Sequence, residues 1–458
     1  MPQRIAILGS GPTGLGAAHR LAEREHDDWD IFERTHHVGG LSSSVTDAHG
    51  FIWDHGGHVM FSHYGYFDDL VETMLREDFD EHMREAWVWL HGRFVPYPFQ
   101  NNIHRLPPDV FMDCIMGIIA AQSAALPKDT FDDYITAVFG EGIAEHFMRP
   151  YNFKVWAHPL DMMGTSWQGD RVPTVDVRRI LQNLLDDRDD VSWGPNNKFK
   201  FPLLGTGMLY ERIADALPKP VLFGKNAIGV DVDNRTVTFE DGSSTTFDSL
   251  INTMPLTELL PLIPQCPTSV LEAMKDLHHT EGMFIGIGVA EPCPSTKCWM
   301  YFPESNSPFY RVTYLSNYSP KMTPSPDHFS LLAEVSVSPY KRENPDDVIE
   351  RTIEGMVACE LLTREQADTK IVSRQLLRVP YSYPVPTVGR DRALAIIQPW
   401  LAEHNIYSRG RFGAWRYEIG NTDHSVMMGV EVIDHLLDGA AETTWALLPG
   451  EEARAVIS

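Results

Sequence analysis

The octapeptide GSGPTGLG at positions 9–16 constrains this chain most. It stands between an apolar run, RIAIL, and a segment with helical spacing, AAHRLAERE. Gly9, Gly11 and Gly14 make a GxGxxG spacing, which between a strand and a helix lets the backbone approach a pyrophosphate lying on the helix N-terminus. Together with Thr13 they are the expected phosphate contacts. The next strand, WDIFE, ends in Glu33, 24 positions beyond Gly9, where an acid accepts hydrogen bonds from an adenosine ribose hydroxyl. Glycine spacing alone is a weak signal, but strand, helix and acid in register make a βαβ dinucleotide unit.

With 458 residues the chain has room for several domains. From Asn226 to Pro255 short strands alternate around DNRT and EDGSS turns and end in SLINTMP, a meander with a return strand. Apolar spacing of three and four in FMDCIMGIIAA and FDDYITAVFG predicts helices between Leu106 and Asp187. Runs such as MFIGIGVAE, FYRVTYLS and FSLLAEVSVS predict antiparallel strands from Glu281 to Pro386, with a helix near Ile349 to Leu362. From Ile406 the tail reads as a strand, a glycine-rich loop and a helix, with Thr422 or Asp423 as its N-cap. The expected fold class is mixed α/β (α+β). A discontinuous Rossmann-like nucleotide domain (1–102, 198–262 and 404–458) carries an inserted helical lid domain (103–197) and an antiparallel substrate sheet (263–403).

Composition narrows function. Lys and Arg number 38 against 63 acidic residues, a net charge of −25, which opposes binding to nucleic acid or anionic membranes. Any anionic ligand must be held locally. Five scattered cysteines without a CxxC pair suggest neither a disulfide framework nor a zinc site, and no metal ligand set is expected. The absence of a signal-like start or a long apolar run leads to the expectation of a cytoplasmic protein. No GxSxG, HExxH or CxxC array supports hydrolytic or zinc chemistry.

Four segments place charged or amide groups beside aromatics: VPYPFQNN (Val95–Asn102), RPYNFKVW (Arg149–Trp156), GDR (Gly169–Arg171) and FYRVTYLSNY (Phe309–Tyr318). Aromatic faces stack a flat base, amides read its edge, and a guanidinium fork fits a phosphate. Arg311 sits in an alternating strand between apolar neighbours, so it needs an anionic partner, either a ligand or a buried carboxylate.

A second glycine pair, Gly39 and Gly40 in ERTHHVGGLSSS, precedes DHGGH at 54–58. Chain of this kind after the acid resembles the extended FAD fingerprint of amine-oxidase-like flavoproteins, which adds Gly40, Leu41, Gly56 and Gly57 to the expected cofactor contacts. The Gly420–Asn421 step before the last helix could aim a helix dipole at the flavin's pyrimidine end.

The strings GFIWDHGGHVMFSHYGYFDD, VPYPFQNN, FMRPYNFKVWA, WGPN, CWMYFPESNSPFYRVTYLSNYSP, YSYPVPT and SRGRFGAWRYEIGNTDHSVMMGVE resemble UDP-galactopyranose mutases of the eukaryotic type over nearly the whole chain. The resemblance implies a redox-neutral isomerase that interconverts UDP-galactopyranose and UDP-galactofuranose through attack of reduced FAD N5 on the anomeric carbon. It implies that Arg171 and Arg311 hold the pyrophosphate with Tyr318, Tyr383 and Tyr417. Tyr97, Phe99 and Gln100 would hold the uracil, with Asn152 and Trp156 nearby and Asn196 on a closing loop. Trp299 and Tyr301 would line the cleft. His58 and Phe61 match the loop beside the isoalloxazine, and Arg411, Gly420, Asn421 and Ser425 match flavin contacts, with Asn421 also facing substrate. Arg84 and His63 match the cleft mouth, where NADPH or NADH would reduce the flavin. A dimer or tetramer would fit the family, although KMTPSPDHF after Tyr318 is shorter than in most members. Alternatives are a mutase for another nucleotide sugar, an FAD-dependent oxidoreductase of the amine-oxidase-like superfamily, and a non-catalytic nucleotide-sugar binder.

Overall fold

Strand Ile5–Leu8 is buried along its whole length, as an apolar run ahead of a glycine turn should be. A computed structural model describes residues 3–168, 175–191 and 198–446 of the chain. In it this strand lies inside a four-stranded parallel sheet, ordered Ile406–Ser408, Ser249–Asn252, Ile5–Leu8, Trp29–Phe32. Three separated pieces of chain thus build one nucleotide sheet. Helix Pro12–Glu23 crosses helix Thr422–Asp438 at glycines: a Cβ on Gly16 would lie 2.6 Å from the Val426 carbonyl oxygen, and one on Gly429 would lie 2.1 Å from that of Thr13. The last helix is therefore part of the nucleotide unit. Its preceding residue is Asn421, whose side chain makes no capping bond, and Thr422 and Asp423 lie inside the first turn. Neither expected cap acts as one, because the Asp423 carboxylate is taken by His63 and His424.

The expected meander is present as the antiparallel strands Ala227–Asp231, Thr236–Phe239 and Ser244–Thr246. The larger sheet has seven strands, ordered Ile371–Val385, His278–Val289, Phe329–Val337, Arg311–Tyr314, Trp299–Tyr301, Ala86–Leu90, Arg93–Pro96. Its last hairpin departs from the expected domain boundaries. Residues 86–96 were assigned to the nucleotide domain, yet Ala86–Leu90 pairs in parallel with Trp299–Tyr301. The sequence AWVWL is apolar at every position, which suits burial within a sheet, and it covers an edge that would otherwise be open.

Strand His278–Val289 packs against the separate antiparallel pair Ser44–Thr46 and Ile52–Asp54 and against Phe51 just before it. A Cβ on Gly286 would lie 2.5 Å from the Trp53 ring, and one on Gly288 would lie 2.6 Å from the Phe51 ring. Two large rings that follow the glycine loop thus lie flat against the substrate sheet. Helices Pro108–Gln122, Phe131–Ile143, Arg149–Trp156 and Val177–Asp186 fall in the stretch whose spacing predicts helices. The second of them starts at a capping box, with the Thr130 and Asp133 side chains each bonded to the other's backbone N–H. Helix Val348–Ala358 lies where one was expected. All five cysteines are unpaired. Among the described residues no helix is long and apolar enough to cross a membrane.

Candidate active site

A cavity of about 400 Å³ opens where the nucleotide sheet meets the strand Ile371–Val385. Gly9, Gly11, Thr13, Glu33, Gly40 and Leu41 line one end of it. Arg411, Gly420, Ser425 and His58 line the other. The fit to a dinucleotide is physical. A Cβ on Gly14 would lie 1.9 Å from the Gly9 carbonyl oxygen, so the turn is tight, whereas a Cβ on Gly11 would meet nothing within 4 Å. The open space beside Gly11, at the start of helix Pro12–Glu23, is where a pyrophosphate would lie. Glu33 accepts four hydrogen bonds, from Ser10 N and Oγ and from Thr35 N and Oγ1, each 2.9 Å. Burial opposes its charge, but those donors hold the carboxyl below the usual range. Gly14 serves the turn rather than the cavity wall. Gly56 and Gly57 face Glu334, and Asn421 is exposed at the helix start. Thr253 of SLINTMP and Tyr381 of YSYPVPT also line the cavity, as does Lys225, which no motif in the sequence marked.

Arg411 ties the two halves of the cofactor end together. Its Nε donates to the Gly420 carbonyl at 3.0 Å, its Nη1 donates to that of Ser382 at 3.2 Å, and the guanidinium lies 5.6 Å from the Tyr383 ring centre. His58 is nearby. Burial and the positive charges of Arg411 and Arg311 push its pKa down to about 4, against a smaller opposing effect of Glu334. The ring is neutral at physiological pH.

Arg311 has its anionic partner within the chain. It donates from Nε to Glu334 Oε1 at 2.6 Å and from Nη2 to Oε2 at 2.8 Å. Its side chain keeps 22% of its exposure while that of Glu334 keeps 1%. Among the described residues Nη1 makes no hydrogen bond, so one edge of the fork is engaged by the chain and the other is available to a ligand. Tyr318 and Tyr151 lie within its electrostatic reach. The Tyr318 hydroxyl is buried and has no hydrogen-bond partner among the described residues. An orphaned hydroxyl beside a guanidinium suits an oxyanion.

Two walls of aromatic rings lie beyond the residues that line this cavity. Trp156 packs edge-on to Tyr417 at 4.9 Å and near Tyr383 at 5.9 Å, and those two tyrosines are 5.6 Å apart. In the second wall Trp299 donates to the Tyr301 hydroxyl at 2.8 Å, and Tyr301 lies 5.3 Å from Tyr97. Arg84 sits over both Tyr97 and Trp299, at 5.6 and 4.9 Å. Phe61 joins this wall through Phe199, 6.0 Å away.

Phe99 and Gln100, expected at the base, and Asn152, expected near it, are all buried. Phe99 is fully buried with its ring 4.4 Å from Phe147, so it backs the wall and offers no face to a uracil. Its neighbour Gln100 is buried as well. The Asn152 amide donates to the Met148 carbonyl one helical turn back, at 2.7 Å, because a buried amide on a helix without another acceptor bonds its own backbone. Arg171 and Asn196 lie outside the described residues. Glu334 was missed, although its alternation within FSLLAEVSVS was visible. The group His63, Asp423 and His424 was missed too; both Nδ1 atoms bond the one carboxylate, at 2.7 and 3.0 Å.

Residues 12–412 match the family described as flavin containing amine oxidoreductase. The chain belongs to that class of flavoproteins. A crystal structure of reduced UDP-galactopyranose mutase is 45% identical, over 98% of this chain and 97% of that one, with a TM-score of 0.94. Within the class, this chain is a member of the UDP-galactopyranose mutase family. Putrescine oxidase bound to putrescine (15% identity, 95% of this chain and 99% of that one, TM-score 0.66) shares the fold. So does a CLA-producing fatty acid isomerase from P. acnes (16%, 95% and 99%, TM-score 0.64). The 4,4'-diapophytoene desaturase (4,4'-diaponeurosporene-forming) of Staphylococcus aureus (strain MRSA252) is 34% identical over 80 residues, 18% of this chain and 15% of that protein.

Proposed function

We propose that this protein interconverts UDP-galactopyranose and UDP-galactofuranose with bound, reduced FAD. The observation that carries the reading is Arg311: a fork with one edge left open by the chain, within electrostatic reach of the orphaned Tyr318 hydroxyl and of the cavity-lining His58. An amine or polyene substrate has no use for that guanidinium, whereas a diphosphate does.

When bound and reduced, the flavin supplies an electron-rich N5 as nucleophile toward the anomeric carbon. The protein's part is charge and position. Arg311, Tyr318, Tyr383 and Tyr417, joined by Arg171, take up the negative charge of the diphosphate as its bond to the sugar breaks, and keep it in place to re-form that bond. Tyr97, Trp156, Trp299 and Tyr301 exclude water while the sugar is detached. Burial raises the pKa of Tyr97 and of Tyr318, so both remain hydroxyl donors throughout the working range. The isomerisation is redox-neutral, and the proton that the ring oxygen must take up and return could be supplied by the N5–H of the bound flavin, so no separate acid and base pair of side chains would be required. NADPH or NADH would approach at Arg84 and His63. The five unpaired cysteines suit a reducing, cytoplasmic setting.

The reading is tested by chromatography of nucleotide sugars incubated with the dithionite-reduced protein. UDP-galactofuranose should be converted to UDP-galactopyranose faster than other nucleotide hexoses are isomerised. A protein without bound flavin, or one that releases peroxide from an amine, would overturn it.

A further inference from the structure

The Glu334 carboxylate receives four donors: Gly57 N at 2.9 Å, Arg311 Nε at 2.6 Å, Arg311 Nη2 at 2.8 Å and the Tyr310 hydroxyl at 2.7 Å. With its side chain 1% exposed and its oxygens filled, it has no capacity left for a ligand. We propose that Glu334 is the positioning residue for Arg311, fixing which edge of the guanidinium meets a diphosphate, and that it ties the turn at residues 55–58 to the same arginine. The inference rests on the diphosphate reading above.

Three observations carry it. Arg311 and Glu334 are direct cross-strand partners on neighbouring strands, so their side chains share a face and the pairing is set by sheet register rather than by side-chain wandering. The engaged atoms are Nε and Nη2, one edge of the planar fork, and a two-point contact of this kind fixes the plane as well as the position. The turn is also shaped for the contact. A Cβ on Gly57 would lie 2.8 Å from Thr313 Oγ1 and 3.2 Å from Glu334 Oε1, so only glycine brings that N–H to the carboxylate.

The arrangement has two consequences. Before ligand arrives, the guanidinium is compensated and does not swing into the cleft or draw in another anion, which matters in a chain of net charge −25. And because Gly57 and Arg311 bond the same oxygen, the turn that carries His58 cannot shift without losing a bond to the group that orients the phosphate-binding arginine.

The probe is UDP, titrated into the oxidised holoprotein and its variants. Arg311→Ala should weaken UDP binding at least tenfold. Glu334→Gln, which keeps the shape but opposes an amide to Nη2, should raise the UDP dissociation constant at least fivefold with flavin content unchanged. On the Arg311→Ala background the same change should be silent within twofold, a result that general loosening of the sheet would not give. Should Glu334→Gln alone fail to load flavin, the double variant, which leaves no orphaned buried ion, should regain loading; failure to regain it overturns the proposal. If Arg311→Ala weakens UDP and Glu334→Gln leaves it unchanged or tightens it, the positioning role is wrong and the diphosphate reading stands. If the wild-type protein binds no UDP, both fall together.

Discussion

Arg390 and Glu418, each with a side chain 1% exposed, face one another through two parallel hydrogen bonds of 2.8 Å. Glu418 directly follows Tyr417 and stands two residues before Gly420, so the pair anchors the turn that brings a cleft tyrosine and a cavity-lining glycine together. Glu418→Gln should cost about 1.5–3 kcal/mol, because the buried guanidinium loses a two-point ionic contact and keeps Asp391, whose Oδ1 accepts from Arg390 Nε at 2.9 Å. Replacing both with apolar residues of similar volume should cost far less. Urea denaturation of the holoprotein measures both, and a loss under about 1 kcal/mol for the single variant would show that the pair is not what holds the turn.

Gly11 and Gly14 should behave oppositely. Gly14→Ala drives a methyl to 1.9 Å from a backbone oxygen and should prevent folding of the nucleotide unit. Gly11→Ala meets no protein atom within 4 Å, so the apoprotein should keep its stability within about 1 kcal/mol. FAD affinity should nonetheless fall at least tenfold, since the methyl enters the space assigned to the pyrophosphate. Equal flavin loading in Gly11→Ala and wild type would remove that assignment.

The depressed pKa of His58 sets a pH dependence. Its folded value of about 4 lies below the unfolded 6.5, so the unfolded chain binds the proton more tightly between those values and stability rises with pH across that window. The gain should be on the order of 2 kcal/mol, less than the full shift implies because the ring borders an open cavity. His58→Asn should flatten the apoprotein's stability profile between about pH 4 and pH 6.5. An unchanged slope would mean that other groups produce it.

Arg311→Ala should lower kcat/KM by about tenfold to a hundredfold or more with flavin still bound, the worth of a charge-assisted contact of about 1.5–3 kcal/mol. Steady-state kinetics beside the flavin absorbance decide it, and near-normal turnover would assign the arginine a purely structural role.

The nucleotide end was legible because its signals are local: strand, GSGPTGLG, helix and Glu33 fall within 33 residues of one another. The aromatic segments were legible as segments, but not in their directions. Phe99 and Tyr97 are two residues apart, yet one ring enters the core while the other faces Tyr301, a difference made by the tertiary fold around a short turn. Glu334 was unreadable for a different reason. It becomes the partner of Arg311 only through the register of two strands whose residues stand 23 positions apart, and alternation reports which face a residue takes, never which residue it will meet. The hairpin at 86–96 entered the seven-stranded sheet through a parallel pairing with residues 299–301, and no local pattern encodes so distant a partner.

In this protein a flavoprotein fold serves an isomerisation that consumes no electrons. The decisive measurement is the number of UDP-galactofuranose molecules converted per flavin, without oxygen, after dithionite has supplied one electron pair per flavin. Many turnovers should follow that single reduction, with the flavin still reduced at the end and no conversion by the oxidised protein. One product per electron pair, or equal rates with oxidised and reduced protein, would contradict it.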